Sequence, residues 1–376
     1  MDENSEASKK IVAQAMETWI DAQRRAIELL LGAQQPGHPV DWGEGARWVT
    51  RIASLAQEWV VEYADPLRPV IFRSQGPTRK LMVDNPDVDY YFASLDHRET
   101  YRLTGERGQA AAIGLTIGTD ILRGAPGRTG TLGQYQLDDF ALQPDGRFAI
   151  TLSKEQCDGN WIALPDGAAQ IAVRETFHDR TRERPAQFEV ERVGPPLPPA
   201  DWTPEVAAER IALAARWLLF IANSCVAMWK GFSAAGVNRI TGGAGRDHTD
   251  AQEDEVRTHS ASDMAYMGGN WRIEPDQALR ITIFPARGGA RYWGITLVNP
   301  WMESYEYRQR SVCTNDQLAA RNPDGSWTVV IAHRDPGVPN WLDTGGRSEG
   351  YALVRWVLPA TLPPNPSCEV IDLEKR

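Results

Sequence analysis

Apolar residues recur at helical spacing in two segments near the start of the chain. The stripe in residues 8–33 consists of Val12, Ala15, Trp19, Ala26 and Leu30. The stripe in residues 45–64 consists of Trp48, Ile52, Leu55, Trp59 and Val60. Gly and Pro in GAQQPGHPVDWG break the pattern between them. The pattern predicts an N-terminal helical hairpin over residues 1–65, whose Trp-bearing faces pack on each other or on the rest, or serve as an arm for oligomerisation.

From residue 66 onward the pattern changes to short apolar runs that are separated by turn residues. Pro-Asp-Gly occurs at 144–146, 165–167 and 323–325, and each copy precedes a run typical of a strand: RFAITLS, AAQIAVRETF and SWTVVIAH. ALRITIF and RYWGITLV flank ARGGA, which predicts a fourth hairpin, and YALVRWVL closes the sheet system. Short strands with close turns favour an antiparallel sandwich or barrel-like sheet. We expect no internal repeat beyond the recurring turns.

A third helix is predicted over residues 203–230, with Thr203 as its cap and Pro204 in its first turn. Its apolar part, residues 211–229, is as long as a membrane span, but Arg216 interrupts it, which favours a buried core helix. The helix separates β-blocks at 66–193 and 270–360. The predicted fold class is α+β, mainly antiparallel β, with a sandwich-like β-rich body over 66–376. We expect the two blocks to share one core, because the first has few predicted strands.

Composition restricts the function classes. Acidic residues outnumber basic ones, the formal charge is −10 and the pI is near 5.2, which argues against a nucleic-acid partner. The start MDENSEASKK lacks the apolar run of a secretory signal, so we expect a cytoplasmic protein without a membrane partner. The four cysteines form no CxxC pair and are expected to be free thiols. The fourteen Trp residues fill cores or line pockets for ring-shaped ligands.

No catalytic fingerprint is present in the sequence. We find no GxSxG elbow, P-loop, HExxH helix or dinucleotide motif, so we predict neither a cofactor nor a metal site. RDHTDAQEDE, around His248, offers oxygen ligands for a weakly held cation, although a solvated acidic loop accounts for it better. His178 beside Asp179 could form an acid–base pair, and a charged turn at a strand end is the simpler interpretation.

The densest candidate chemistry lies in two C-terminal loops. NPWMESYEYRQRSVCTND (299–316) interleaves aromatic and charged residues, and HRDPGVPNWLDTGG (333–346) adds a Trp-Leu pair and two acids between turn residues. Such mixtures after strand ends build clefts with convergent polar groups, and they equally build ion-pair networks that tie loops together. We predict an ordered loop that either walls a pocket or covers a sheet end.

These same residues resemble a known family. The runs YWGITLVNPWMESYEY, NPDG, DPGVPNWLDTGG and GYALVRW are similar to the bacterial family named domain of unknown function 1214. Further similarity lies in NPDVDYYFASLDHRETYRLTGERG at 85–108 and in residues 161–193. The resemblance covers most of residues 80–360. It implies a β-rich fold and no established reaction.

Two hypotheses of different class follow. The first is a cofactor-independent lyase or hydrolase that acts on a small apolar or ring-shaped metabolite, with Glu303, Asp343 and Asp335 as candidate catalytic residues. Glu303 or Asp343 would act as base, and an arginine would hold an anionic group. The predicted ligand-binding residues are Asp87, Tyr90, Arg174, Trp301, Arg308, Asn340 and Trp341. The second is a non-catalytic protein that binds a small ligand or a protein partner, including a second copy through the N-terminal hairpin. Mutual pairing of the acids and arginines would favour the second.

Overall fold

Three long helices form one layer. The computed structural model describes residues 3–32, 36–119, 130–233, 236–242 and 263–373. The helices are α1 (Glu3–Gly32), α2 (Pro39–Ala56), which continues as a π-helical segment (Gln57–Glu62), and α3 (Pro204–Ser233). α1 and α2 form the predicted hairpin, and α1 packs chiefly along α3. Ala15, Ala26 and Leu30 are buried as predicted, whereas Val12 is exposed.

α3 connects the two β-blocks and belongs to the helical core. Thr203 caps it by accepting a hydrogen bond from the Val206 amide (3.3 Å). Trp217, Leu218 and Ile221 are buried against α1 and α2, whereas Phe220 remains exposed on the opposite face. By length and composition, α3 is the one described helix that could cross a membrane; half of its most apolar window is buried inside the protein. The helix thus has one core face and one solvent face.

The described part of the first β-block contains nine strands in two sheets. They are β1 (Phe72–Gln75), β2 (Val88–Ser94), β3 (Thr100–Glu106), β4 (Ala112–Thr119), β5 (Thr131–Gln136), β6 (Arg147–Ser153), β7 (Trp161–Ala163), β8 (Ala168–Thr176) and β9 (Gln187–Val193). The five-stranded sheet has the order β1-β2-β8-β4-β5, and the four-stranded sheet has the order β7-β6-β3-β9. All pairings are antiparallel except β6 with β7.

The second β-block also contains nine described strands in two sheets. They are β10 (Thr241–Gly242), β11 (Met264–Arg272), β12 (Gln277–Ile283), β13 (Tyr292–Val298), β14 (Cys313–Asn315), β15 (Trp327–Ala332), β16 (Trp341–Asp343), β17 (Glu349–Val357) and β18 (Ser367–Asp372). Their orders are β10-β11-β17-β13-β14 and β16-β15-β12-β18. Adding nine to each strand number in the sheet orders of the first block gives the sheet orders of the second. The pair of β15 and β16 is parallel, like the matching pair of β6 and β7.

The two blocks are therefore a structural repeat, and the expectation of no repeat is wrong. Matching positions lie about 180 residues apart: Gly114 and Gly294 on β4 and β13, and Arg174 and Arg355 on β8 and β17. The turn glycines Gly146 and Gly325 both have φ near +90° (85° and 89°). The sequence hides the relation because side chains differ at most matching positions.

Each block has its own core, so the expectation of one shared core is also wrong. One apolar cluster lies between the two sheets of the first block, and a separate cluster lies between those of the second. Short or polar strands such as β5, β7 and β9 complete the first block and gave no strong apolar signal. The predicted hairpin across ARGGA is wrong as well, because β12 and β13 lie in different sheets.

Candidate functional site

The loop at residues 335–346 bonds internally. Asp335 Oδ1 accepts the Gly337 amide at 2.8 Å. Asp343 accepts the Gly345 amide at 2.7 Å and forms an ion pair with Arg310 at 2.7 Å. Trp341 donates its indole N–H to the Ala332 carbonyl (3.0 Å) and packs against the outer side of the four-stranded sheet. The loop thus adds an edge strand to the four-stranded sheet, and both of its acids are bonded, Asp335 within the loop and Asp343 to the loop and to Arg310.

Asn340 has a counterpart in the first block. Its side-chain amide donates to the carbonyls of Ala320 (2.9 Å) and Thr328 (2.8 Å) and accepts from the Ala320 amide (2.7 Å). Asn160 makes the same three bonds, two to the Ala141 and Ala149 carbonyls and one from the Ala141 amide. The asparagine of each Asn-Trp dipeptide therefore joins two other stretches of its block by the same hydrogen bonds.

Glu303 and Trp301 lie under α2, away from that loop. Glu303 is 1% exposed and pairs with Arg51 at 2.5 Å, while its second oxygen has no hydrogen-bond partner among the described residues. Burial raises the pKa of Glu303 to about 8 against the opposing effect of Arg51. Trp301 stacks on Trp48 with ring centroids 5.4 Å apart. Both predicted site residues thus belong to the contact between α2 and the second block.

A second buried ion cluster completes this contact. Arg347 donates to Asp41 (2.7 Å) and Glu44 (2.8 Å), and its guanidinium lies over the Tyr305 ring. Asn299 also donates to Glu44 (2.8 Å). Burial raises the pKa of Asp41, against the opposing charge of Arg347. These groups hold α2 in one register on the second block.

A cavity of about 60 Å³ lies beside this cluster. It is lined by Pro36, Gly37, His38, Asp41, Trp229, Pro300, Arg347, Ser348 and Glu349. Metabolite pockets usually enclose roughly 300 Å³ or more, so the cavity has room for a few water molecules only.

A different set of polar residues meets between the blocks. In the first block, register places Tyr90, Arg174 and Gly114 side by side on β2, β8 and β4. In the second block, Tyr266, Arg355 and Gly294 occupy the matching row on β11, β17 and β13. Val354 and Trp356, on either side of Arg355, belong to the core of the second block, and Val173, beside Arg174, belongs to the core of the first. Because neighbouring residues of a strand point to opposite faces, the two arginine side chains point away from these cores.

The two rows face each other across what we call the inter-block cleft, defined by Tyr90, Thr116, Arg174, Tyr266 and Arg355. Burial raises the pKa of the Tyr90 phenol; the charges of Arg355 and Arg174 favour its ionised form, and those of Tyr266 and Asp84 oppose it. All four groups are therefore within electrostatic range of one phenol. Direct contact between the blocks occurs nearby, where Gln136 donates to Asp263 at 2.6 Å.

The two arginines are held in the same way. Arg174 donates to Thr116 at 3.4 Å, and Arg355 donates to Thr296 at 3.4 Å. Arg355 is 3% exposed and also donates to the Val83 carbonyl. Within the described residues, neither arginine has a carboxylate oxygen within 4 Å. Tyr90, Thr116, Arg174 and Tyr266 are half-buried, and the Tyr90 hydroxyl accepts the Asn85 amide.

Asp87 lies at the edge of the cleft. Its Oδ2 accepts hydrogen bonds from the Tyr292 phenol (2.7 Å) and the Asn315 amide (3.0 Å). Burial raises the pKa of Asp87, whereas the two hydrogen bonds and the charges of Arg180 and Arg355 act in the opposite direction. Of the predicted site residues, the structure brings Asp87, Tyr90 and Arg174 together.

The remaining candidates lie elsewhere. Arg308 is exposed and pairs with Glu306 (2.8 Å). His178 lies 3.2 Å from Asp316, which raises its pKa, and Asp179 instead accepts from Thr181. His248 and the acidic stretch around it fall outside the described residues. Among the residues that are described, no three metal-ligating side chains cluster. The four cysteines are free thiols.

Sequence reasoning missed Arg355, Tyr266 and the two threonines as partners of Tyr90 and Arg174. A signal for them exists. Val-Arg at 173–174 and 354–355, and Gly-x-Thr at 114–116 and 294–296, recur at offsets of 181 and 180 positions. A comparison of the chain with itself at this offset finds the matching rows.

Comparison with known proteins gives a family and a fold without a reaction. The family model described as protein of unknown function (DUF1214) matches residues 271–361. The crystal structure of an uncharacterised protein from Burkholderia cenocepacia has a TM-score of 0.87 and 30% sequence identity, covering 97% of this chain and 99% of that one. A protein from Vibrio parahaemolyticus has a TM-score of 0.49 and 10% identity, covering 92% of this chain and 100% of that one. No curated protein matches.

Proposed function

The chain belongs to the DUF1214 family of proteins of unknown function, and we propose that it binds a small organic anion, a carboxylate, in the inter-block cleft. The observation that carries this proposal is the pair of equivalent arginines, Arg174 and Arg355. Both act on the Tyr90 phenol, and neither has a carboxylate within 4 Å among the described residues.

A buried guanidinium without a directly bonded carboxylate is costly, because its charge has lost hydration. Arg355 recovers part of that loss from backbone carbonyls and from the more distant charge of Asp87. A ligand carboxylate would bring a negative charge into direct contact and accept hydrogen bonds from the planar guanidinium groups. Tyr90 and Tyr266 would offer aromatic surface to an apolar or ring-shaped remainder.

The positions and bonding partners of the three predicted catalytic carboxylates favour binding without chemistry over catalysis. Glu303 pairs with Arg51 beneath α2, Asp343 pairs with Arg310, and Asp335 caps its own loop. None of these three carboxylates lies at the inter-block cleft. A general base must come within hydrogen-bond reach of the proton that it removes.

The test is a thermal-shift comparison of matched acids and amides. We expect benzoate and succinate to raise the melting temperature of the full chain and benzamide and succinamide to leave it unchanged. A ligand at about 100 times its Kd stabilises the folded state by roughly 2.7 kcal/mol. The shift should disappear in Arg174→Gln and weaken in Tyr90→Phe, and it should persist in Arg308→Gln, which removes an exposed arginine.

Two results would reject the proposal. One is the absence of a stabilising organic acid in a broader panel of mono- and dicarboxylates. The other is a stabilisation that survives both Arg174→Gln and Tyr90→Phe. Because Arg174 is half-buried and Tyr90→Phe keeps the ring, both variants should fold, and their melting temperatures without ligand provide the control.

A second candidate is a lyase or hydrolase that uses Asp87 as its acid or base. The raised pKa of this buried carboxyl and its bond to Tyr292 favour it. Once a stabilising acid is known, mass spectrometry of that acid after incubation separates the two functions. Conversion that is lost in Asp87→Asn indicates an enzyme, and an unchanged acid indicates a binding protein.

A further inference from the structure

α1 carries an apolar stripe on a face that its own body leaves uncovered. The exposed fractions of its members run from 42% to 59%. The stripe consists of Val12, Met16, Ile20, Ile27 and Leu31, with half-buried Gln23 completing its line. At 100° per residue, these positions cluster about a quarter turn away from Ala15, Ala22 and Ala26, which face α3. The stripe is therefore a second apolar face, distinct from the core face.

The spacing of the stripe is the same in both directions along the helix. The steps from residue 12 to residue 31 are 4, 4, 3, 4 and 4. A second copy of α1 laid antiparallel would place Val12 opposite Leu31, Met16 opposite Ile27 and Ile20 opposite Gln23. We infer that α1 pairs with α1 of a second copy of this chain in this antiparallel register.

Charge complementarity supports a second copy as the occupant. Glu17 and Arg24 lie two turns apart, so they stand on the same flank of the stripe. In the antiparallel register the same flanks of two copies meet, and Glu17 of each copy approaches Arg24 of the other. Arg24 now lies 3.6 Å from Asp21 on its own helix, a contact between exposed side chains that it can exchange or share.

The length of the stripe suits this role. From Val12 to Leu31 the helix rises by about 28 Å, which is about two thirds of the length of the 30-residue helix α1. The pairing would be isologous, because each copy gives the same surface, so it closes at two copies. The inference does not depend on the proposed function.

The test measures the mass of the full chain in solution by light scattering after size exclusion, over about 1 to 100 μM. We expect a dimer for the native chain and a monomer for Ile20→Asp. Glu17→Arg and Arg24→Glu should each weaken the dimer at least tenfold, and the double variant Glu17→Arg/Arg24→Glu should restore it. Arg25→Glu serves as a matched control, because Arg25 lies outside the stripe and its flank.

Several outcomes would overturn the pairing. A native chain that is monomeric at every concentration refutes it directly. A dimer that survives Ile20→Asp is formed by another surface. Single charge reversals that weaken the dimer without rescue by the double variant refute the antiparallel register. Melting temperatures of all variants, measured in parallel, separate loss of pairing from loss of folding, since these side chains are exposed in one copy.

Discussion

The two β-blocks share a strand order but use it differently. Both keep the three-bonded asparagine, Asn160 or Asn340, and both keep an arginine bonded to a threonine on the outer face. The second block docks α2 through the ion pairs of Arg347 and Glu303. The π-helical continuation of α2 meets the first block through aromatic contacts, such as Trp59 with Phe92, and through one ion pair of Glu58 with Arg79. The features that both blocks keep serve the fold or the cleft, whereas the contacts with the helical layer differ between the blocks.

The largest expected effect comes from the paired asparagines. Each makes three hydrogen bonds worth about 0.5–1.5 kcal/mol apiece, so Asn160→Ala should lower the free energy of unfolding by about 2–4 kcal/mol. Asn340 has φ of +60°, which alanine tolerates poorly, so Asn340→Ala should cost about 1 kcal/mol more. Urea unfolding of both variants measures this difference. Asn340→Gly should recover the extra cost, and equal losses in both alanine variants would contradict the cost assigned to the positive φ of Asn340.

A pH-dependent change of about 3 kcal/mol in the free energy of unfolding is expected from β8 and not from the matching strand β17. Glu175 follows Arg174, whereas Trp356 follows Arg355, and burial raises the pKa of Glu175 to about 7 from 4.5. Unfolding therefore releases a proton between these values, and the free energy of unfolding should fall as pH rises from about 4.5 to 7. Glu175→Gln should remove this part of the slope in melting temperature against pH. The exposed control Glu189→Gln should retain it.

A smaller effect tests the docking of α2 on the second block. A Cβ at Gly45 would lie 2.7 Å from the Trp301 ring, so Gly45→Ala should destabilise the chain by about 1–3 kcal/mol. Gly43 lies on the same helix with open space around it, and Gly43→Ala should stabilise by about 0.5–1 kcal/mol. Thermal melts of the two variants should therefore shift in opposite directions. A shift of the same sign in both variants would mean that the Trp301 ring makes room for the added methyl group at little cost in free energy.

The smallest effect concerns an ion pair that the first block lacks. Asp343 matches Ala163 by position in β16 and β7, and its partner Arg310 is half exposed. Arg310→Gln should cost about 0.2–1 kcal/mol, and added salt should reduce the difference from the native chain. A loss above about 2 kcal/mol in urea unfolding would show that the 335–346 loop depends on this pair.

Local chemistry predicted the elements well. The Pro-Asp-Gly turns have the positive φ that their glycines supply, at Gly146, Gly167 and Gly325. The third helix was predicted as 203–230 and is observed as Pro204–Ser233. The fold class, mainly antiparallel β with an N-terminal helical hairpin, is confirmed. These features depend on neighbours in sequence, which a single chain displays directly.

Relations between distant segments were harder to predict. The glycines of ARGGA indicate a turn, but they do not say whether the chain returns to the same sheet or crosses to the other. Glu303 and Trp301 have the composition of pocket residues, and only the docked α2 shows that they are covered. Tyr90 and Arg174 were named together, whereas their counterparts Tyr266 and Arg355 required knowledge of the repeat.

The docking of α2 requires residues that the ribosome adds much later. The Trp301 indole donates to the Asp41 carbonyl across 260 positions of sequence. At roughly 5–20 residues per second, a ribosome needs about 13–50 seconds to make the intervening chain. For that time the surface of α2 that docks on the second block stays uncovered, while α3 can already cover α1 and the first β-block can close its own core. The newly made α2 is therefore the segment that a chaperone would hold longest.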